Sequence, residues 1–247
     1  MTSRTPDTSH PAPSACVVVP ALDAARTIAG VLADIRRGLP EVATHIVVDD
    51  GSRDGTAEIA AKEGANVVSH PQNQGKGAAL MSGLRAARAL GLQIALAVDA
   101  DGQHPAESAR EVLFGSTDPR ALVLGVRDLS GEGAPLANRI SNGISNFFLS
   151  RFAGRTLRDT QCGLRRYPVA DTVALGARAS GYAFEAEILL RAAASGLPIV
   201  ERDVHVVYPP EHERVTHFDS VRDPARIIAV VLSTVRDLRT RGRPKGA

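Results

Sequence analysis

The chain has no tryptophan, two cysteines and two methionines, and aromatic residues make up only 4% of its 247 positions. Two cysteines, Cys16 and Cys162, cannot build a disulfide framework or a cysteine zinc site, so a reducing, cytoplasmic setting is expected. A dominant charge is missing as well. The 29 Lys and Arg against 27 Asp and Glu leave +2, too little to argue for nucleic acid. No apolar run approaches the ~20 residues of a membrane span; the longest candidate, IIAVVLSTV (227–235), stops well short. What is there, 44% hydrophobic and 23% charged residues, is ordinary for a globular protein with a sizeable core.

The ends differ from the middle. Residues 1–14 are rich in Pro, Ser and Thr without an apolar stretch, and read as a disordered leader rather than a signal peptide. Residues 241–247 form a basic tail. Together with Arg236 and Arg239, that tail marks the last helix either as core-packed with a solvated end or as resting on an anionic membrane surface. Residues 15–240 are expected to form one domain.

Inside those limits, short β-branched runs alternate with helical patterns. ACVVVP (15–20), THIVVDD (44–50), ANVVSH (65–70), IALAVDA (94–100) and ALVLGV (121–126) are each followed by a helical or turn segment. That alternation predicts βαβ units and a mainly parallel sheet covered on both faces. Ligands in such sheets gather beyond the carboxyl ends of the strands. The second half predicts a helix over 135–154 with an aromatic patch at Phe147, Phe148 and Phe152, and then a loop, RTLRDTQCGLRRYP. A helix around YAFEAEILLRAAASG, a strand over 198–208 and a last helix from about Pro224 follow.

Acidic residues fall at three strand ends: Asp23, Asp49 with Asp50, and Asp99 with Asp101. One such residue is usually a turn former or helix cap; three on one sheet edge suggest a site. An extended segment would put the Asp99 and Asp101 β-carbons about 7 Å apart on one side, suited to a shared divalent cation such as Mg²⁺ or Mn²⁺. Aspartyl-nucleophile phosphatases need D-x-D-G-T, and Gln103 stands in the fifth place. A calcium-binding loop counted from Asp99 needs Gly at its sixth position and Glu at its twelfth, where this chain has His104 and Arg110. A glycine-rich activation loop or G-x-G-x-x-G after the first strand is also missing, which excludes nucleotidyltransferase and dinucleotide-reductase chemistry.

VVVPALDAARTI, IVVDDGSRDGTAEIA, NQGKGAALMSGLRAA, VDADGQHP, LVLGVR, RDTQCGLRRYP and GYAFEAEILLRAAASGLPIVERDVHVVY occur in this order. Over residues 15–240 the chain resembles family 2 glycosyltransferases, nearest to the dolichol- or polyprenyl-phosphate sugar transferases. The resemblance implies a GT-A fold, a three-layer α/β sandwich with a carboxyl-terminal helical elaboration. It also implies inverting, metal-dependent transfer from a GDP- or UDP-sugar to a polyprenyl phosphate at the inner membrane face. A hydroxyl acceptor, or a nucleotide-sugar sensor without turnover, is the alternative.

The residue roles follow from the same likeness. Pro20, Leu22 and Asp23 would line base and ribose, and Asp49 or Asp50 would hydrogen-bond the base. Lys76, Ala100 and Arg214 would join the donor site. Asp99, Asp101 and Gln103 would hold metal and diphosphate. Arg127, Arg139 and Ser141 would hold the acceptor phosphate, with Asp101, Asp159, Arg127 and Arg139 as the catalytic set. For a hydroxyl acceptor the base candidates are Asp159 first, then Glu185, Glu187 and His217; the plainer role for Glu185 and Glu187 is pairing with Arg191. Relatives commonly carry P-x-Y-N-E where this chain has Pro20-Ala-Leu22-Asp23-Ala24, so the nucleotide stays open. The loop YPPEHERVTHF differs from the basic loop of the mannose synthases, so the sugar stays open too.

Overall fold

The computed structural model describes residues 14–131, 136–207 and 222–241, the side chains of 136–138, 222–225 and 241 excepted. The expected leader (Ser14 aside), the tail beyond Arg241, Arg214 and His217 lie outside the described residues.

The first half alternates as the sequence predicts. Strand β1 (Ala15–Ala21) leads to α1 (Ile28–Gly38), β2 (Thr44–Asp49) to α2 (Thr56–Lys62), and β3 (Asn66–Ser69) to α3 (Lys76–Ala89). Next come β4 (Ile94–Ala97), α4 (Ala106–Leu113), β5 (Leu122–Arg127) and α5 (Leu136–Ala153). The chain then runs through β6 (Arg165–Pro168), α6 (Val169–Ala174), α7 (Ala183–Ala194), β7 (Ile199–Val204) and α8 (Arg222–Arg241). One seven-stranded sheet results, in the order β3-β2-β1-β4-β6-β5-β7.

The run Cys16–Val19 alternates between two cores. Cys16 and Val18 face a layer with α3, α5, α7 and α8; Val17 and Val19 face one with α1 and α4. Both faces are covered, so the strand is apolar throughout rather than alternating. Helix α7 is buried along ten of its twelve residues, including Glu185, Glu187 and Arg191, which marks an interior helix rather than an amphipathic surface one.

Three differences from the sequence reading affect the site. Strand β4 ends at Ala97, so Asp99 and Asp101 sit in the turn that follows instead of on an extended strand. The strand expected over 198–208 is shorter, Ile199–Val204. The segment RRYP, read as loop, is β6, antiparallel to both β4 and β5. Its two consecutive arginines hide it from a hydrophobic pattern. Arg165 is fully buried because Cys162 O, Glu185 O and Thr160 O each accept one of its N–H groups, at 2.9, 3.0 and 2.7 Å. A buried guanidinium is tolerable only when its donors are matched in this way.

Candidate active site

Strand β1 pairs on one side with β2 and on the other with β4, all parallel. The three acidic strand ends are therefore neighbours, as the sequence suggests.

The β1 and β2 ends are laced together. The Asp23 N–H donates to Ser52 Oγ at 2.9 Å, and Asp23 Oδ1 accepts the Arg53 N–H at 3.0 Å. Ala24 N–H reaches Thr56 Oγ1 at 2.8 Å and Ala25 N–H reaches Asp54 Oδ2 at 2.9 Å. Asp23 holds φ +49°, the left-handed region that Asp tolerates better than most residues. Pro20 belongs to the buried end of β1, and Leu22 and Asp23 sit just beyond it.

Asp49 and Asp50 are both buried, but their surroundings separate them. Asp50 accepts the Gln74 and Gly75 N–H groups at 2.9 and 2.7 Å, and its Oδ1 lies 2.6 Å from His70 Nδ1. His70 Nε2 in turn meets Ser82 Oγ at 2.9 Å. Asp50 thus anchors the loop that delivers Lys76. Asp49 receives the Ser52 N–H at 3.2 Å and carries the lighter load of donors.

Lys76 opens α3. Gly75 before it takes φ +95° and packs a bare Cα against Ser180 O, where a β-carbon would lie 2.6 Å away. From there Lys76 Nζ reaches 2.8 Å from Asp99 Oδ1 and 3.2 Å from Glu185 Oε1, and lies over the Tyr182 ring. Burial works against its charge, yet Asp99 and Glu185 hold it above the usual lysine range. Asp99 is held low in turn: burial opposes its charge, and Lys76 outweighs that. Gly163 lies directly beneath. A β-carbon there would run into the Asp99 carboxylate and come 2.8 Å from Lys76 Nζ.

Asp101 is exposed at the rim, and its Oδ1 accepts the Gln103 N–H at 3.0 Å. Loss of solvent around its carboxyl, and then the charge of Asp99, push it up to about 6. Ala100 is buried between the two carboxylates. His104 was not singled out by the sequence. Its Nδ1 is buried without a partner, and desolvation, Asp99 opposing, pulls it down to about 4.

On the far side of β4 stands Arg127, at the end of β5. Its Nε lies 2.7 Å from Asp159 Oδ2 and its Nη2 3.0 Å from Asp159 Oδ1. The Arg127 and Gln161 N–H groups also donate to that carboxylate. Burial opposes the Asp159 charge, but these bonds hold the carboxyl below its ordinary range. The same bonds hold the Arg127 guanidinium in place. Ser141 accepts from Gln161 Nε2 at 3.1 Å, which ties α5 to the same loop. Arg139, two residues earlier on α5, is exposed, with Nη2 3.3 Å from Ser130 Oγ. Glu187 pairs with Arg191 at 2.8 Å as expected; Glu185 does not, and turns to Lys76 instead.

One helix face nearby is apolar and uncovered. On α5, Ile140, Ile144, Phe147 and Phe148 are 56, 47, 70 and 41% exposed, whereas Phe152 packs against the core. Among the described residues no helix is long and apolar enough to cross a membrane.

Comparison with known proteins agrees with this layout. The family model described as glycosyl transferase family 2 matches residues 16–170. A UDP-N-acetylglucosamine–dolichyl-phosphate N-acetylglucosaminyltransferase from Methanococcus voltae is 30% identical over 186 residues, 66% of this chain and 74% of that one. A polyprenol monophosphomannose synthase from Mycolicibacterium smegmatis is 27% identical over 209 residues, covering 79% and 78%. Among solved structures, the glucosyl-3-phosphoglycerate synthase of Mycobacterium tuberculosis, in complex with Mn²⁺, UDP and phosphoglyceric acid, superposes with a TM-score of 0.69. It is 23% identical, with 95% of this chain and 80% of that one covered. With the family model spanning more than half of the chain and the sheet carrying a GT-A architecture, the protein belongs to the family 2 glycosyltransferases.

Proposed function

We propose that the protein moves a sugar, with inversion, from a nucleoside diphosphate donor (a GDP- or UDP-sugar) to a phosphate-bearing acceptor, a polyprenyl phosphate, at a membrane surface. The observation that carries this reading is the pairing of a carboxylate turn, Asp99 to Asp101, with a rigid arginine, Arg127, across β4 and β6. The relatives add weight, because one is named for N-acetylglucosaminyl transfer with dolichyl phosphate and another for polyprenol monophosphomannose synthesis.

Residues on the nucleotide side bind. Pro20, Leu22 and Asp23 line the end of β1, and Asp49 is the better placed of the two β2 carboxylates for the base. Asp99 and Asp101 fit a divalent cation. Loss of solvent, and then the charge of Asp99, raise Asp101 to about 6, and oxygen donors suit Mg²⁺ or Mn²⁺. Gln103 stands beside them. Among the described residues no three His, Cys, Asp or Glu side chains gather into a cage, so donor diphosphate oxygens would complete the shell. When bound, such a cation offsets charge on the departing diphosphate. Lys76 adds a fixed positive charge on the same side.

Residues on the acceptor side orient. Asp159 fixes Arg127, and Arg127 with Arg139 and Ser141 would hold an acceptor phosphate, a bidentate task suited to arginine. A phosphate oxygen is already anionic at neutral pH, so no side chain has to remove a proton. The engaged state of Asp159 fits that chemistry better than a hydroxyl acceptor. The exposed face of α5, flanked by Arg139 and Arg151, suits an anionic lipid surface.

A second reading, a soluble phosphorylated acceptor, draws support from the superposed structure solved with phosphoglyceric acid. A transfer assay separates the two. The purified chain is supplied with Mn²⁺ or Mg²⁺, radiolabelled UDP-glucose, UDP-N-acetylglucosamine or GDP-mannose, and either polyprenyl phosphate in detergent or 3-phosphoglycerate. Label extracted into organic solvent supports the lipid acceptor. Label confined to a water-soluble product supports the second reading. No transfer to either acceptor from any donor counts against both.

A further inference from the structure

The turn that delivers Lys76 is held from two sides. From the sheet, Asp50 accepts the Gln74 and Gly75 N–H groups. On the other side runs the segment 178–182, between α6 and α7. Ser180 O accepts the Ala78 N–H at 3.0 Å, and Lys76 Nζ lies 5.7 Å from the centre of the Tyr182 ring. The fit is close enough to require glycines. A β-carbon on Gly75 would lie 2.6 Å from Ser180 O. One on Gly77 would lie 2.8 Å from both Ala179 O and Gly181 O, and would run into Phe184. Wherever this segment stands, the start of α3 must follow, and Lys76 with it.

The segment is neither helix nor strand, and Arg178 and Ser180 are exposed. Its anchor is Glu187, which is 3% exposed. Glu187 Oε2 accepts the Arg178 and Ala179 N–H groups at 2.8 and 2.7 Å, and Oε1 accepts Arg191 Nε at 2.8 Å. Arg191 continues to α8, with Nη2 3.0 Å from Asp237 Oδ2. Burying an ion pair adds little net stability, because desolvation offsets the attraction. An apolar pair could join α7 to α8 equally well. It could not accept two N–H groups from the segment that seats Lys76.

We propose that Glu187 is a positioning residue for Lys76: it fixes the segment 178–182, that segment seats Gly75 to Gly77, and the seat sets the ammonium beside Asp99. The inference rests on the donor-site reading above, in which Lys76 faces the donor diphosphate. Asp99 and Glu185 attract Nζ, but they do not set the backbone from which it reaches. Both Glu187 oxygens are engaged in the interior, so its influence on the donor runs through the lysine.

The test is a double-mutant cycle read by calorimetric titration with Mn²⁺ present. UDP is compared with UMP, and GDP with GMP, on the wild type, Lys76→Ala, Glu187→Gln and the double variant. Lys76→Ala should weaken diphosphate binding by roughly ten- to hundredfold, the range for a contact to a charged group. Glu187→Gln, whose single oxygen cannot serve both the segment and Arg191, should lose about tenfold. Adding it to Lys76→Ala should bring no further loss, because both changes act on one contact. The monophosphates, which lack the outer phosphate, should bind all four proteins alike, and that also reports their folding. Should Glu187→Gln not fold, Ala179→Pro takes its place; proline has no N–H to offer Glu187, and the pair with Arg191 stays intact. Losses that multiply in the double variant, or that strike mono- and diphosphate alike, would give Glu187 a purely structural role and overturn the proposal. Unchanged diphosphate affinity in Lys76→Ala or in Glu187→Gln would overturn it too, while leaving the donor site standing. If the wild type bound neither UDP nor GDP, the donor-site reading itself would fall.

Discussion

Asp159 grips Arg127 through two parallel hydrogen bonds across 32 residues of sequence, one carboxylate oxygen to Nε and the other to Nη2. The carboxylate is 1% exposed, so the guanidinium is aimed from below by a group that solvent does not screen.

Replacing that carboxylate by its amide tests the pair. Asp159→Asn removes the charge that the buried end of Arg127 faces, and breaking a buried pair from one side costs about 3 kcal/mol. We expect a lower denaturant midpoint together with a turnover loss well beyond what the stability change alone would cause. Arg127→Lys should not restore activity, since an ammonium cannot make both bonds. Wild-type turnover in a folded Asp159→Asn protein would show that Arg127 needs no such anchor.

Asp101 sets the pH response of the carboxylate turn. Its folded-state pKa of about 6 stands above the ordinary 3.8. Protonation is therefore favoured by folding, and the stability it gives is full below about 3.8 and lost as pH rises through about 6. The protein without metal should gain stability relative to Asp101→Asn as pH falls from 7 towards 5. Mn²⁺ affinity should fall over the same interval, because the cation needs the ionised form. Paired melting curves and Mn²⁺ titrations at pH 5 and 7.5 read both effects; equal Mn²⁺ affinity at the two values would contradict the assignment.

Asp50 should matter to the fold before it matters to the nucleotide. Asp50→Ala removes the acceptor of the Gln74 N–H and of His70 Nδ1, and leaves the Gly75 N–H with Asn73 Oδ1 alone. Unmatched buried donors cost about 1–3 kcal/mol each. The variant should melt at lower temperature, and proteolysis should cut sooner within residues 70–75. Asp49→Ala, with fewer donors depending on it, should lower nucleotide affinity with a smaller loss of stability. The reverse ranking in the two assays would exchange their roles.

Phe147 and Phe148 cost little to remove from the folded protein, at 70 and 41% exposure. Changing both to serine should leave the melting temperature within a degree or two, as for ordinary surface substitutions. It should also reduce co-sedimentation with vesicles containing anionic lipid. Unaltered sedimentation of the folded double variant would remove α5 from the membrane reading.

Much of this layout was legible in the residues. The β-branched runs located β1 to β5, and acidic strand ends located the carboxyl edge, because parallel strands buried on both faces leave a strong apolar signature. Strand β6 was not legible. RRYP carries two arginines whose burial depends on carbonyls of residues 116, 118, 160, 162 and 185, and no local pattern reveals partners so distant. For the same reason the partners of Asp159 were hidden: the sequence shows a carboxylate, while only the fold shows four N–H groups around it. Glu185 and Glu187 looked equivalent on one helix, and two residues of rotation gave them different neighbours.

Strand β6 also has a consequence for how such a catalyst can diversify. The ten residues 159–168 begin at the carboxylate beneath Arg127 and end in a strand hydrogen-bonded to β4, which leads into Asp99 and Asp101. On the proposed function, the spacing between leaving group and incoming nucleophile is set by the interior, through Arg165 and its three carbonyls. Only the outward face of α5, with Ile140, Ile144, Phe147 and Phe148, stands clear of those ties and can change without moving them.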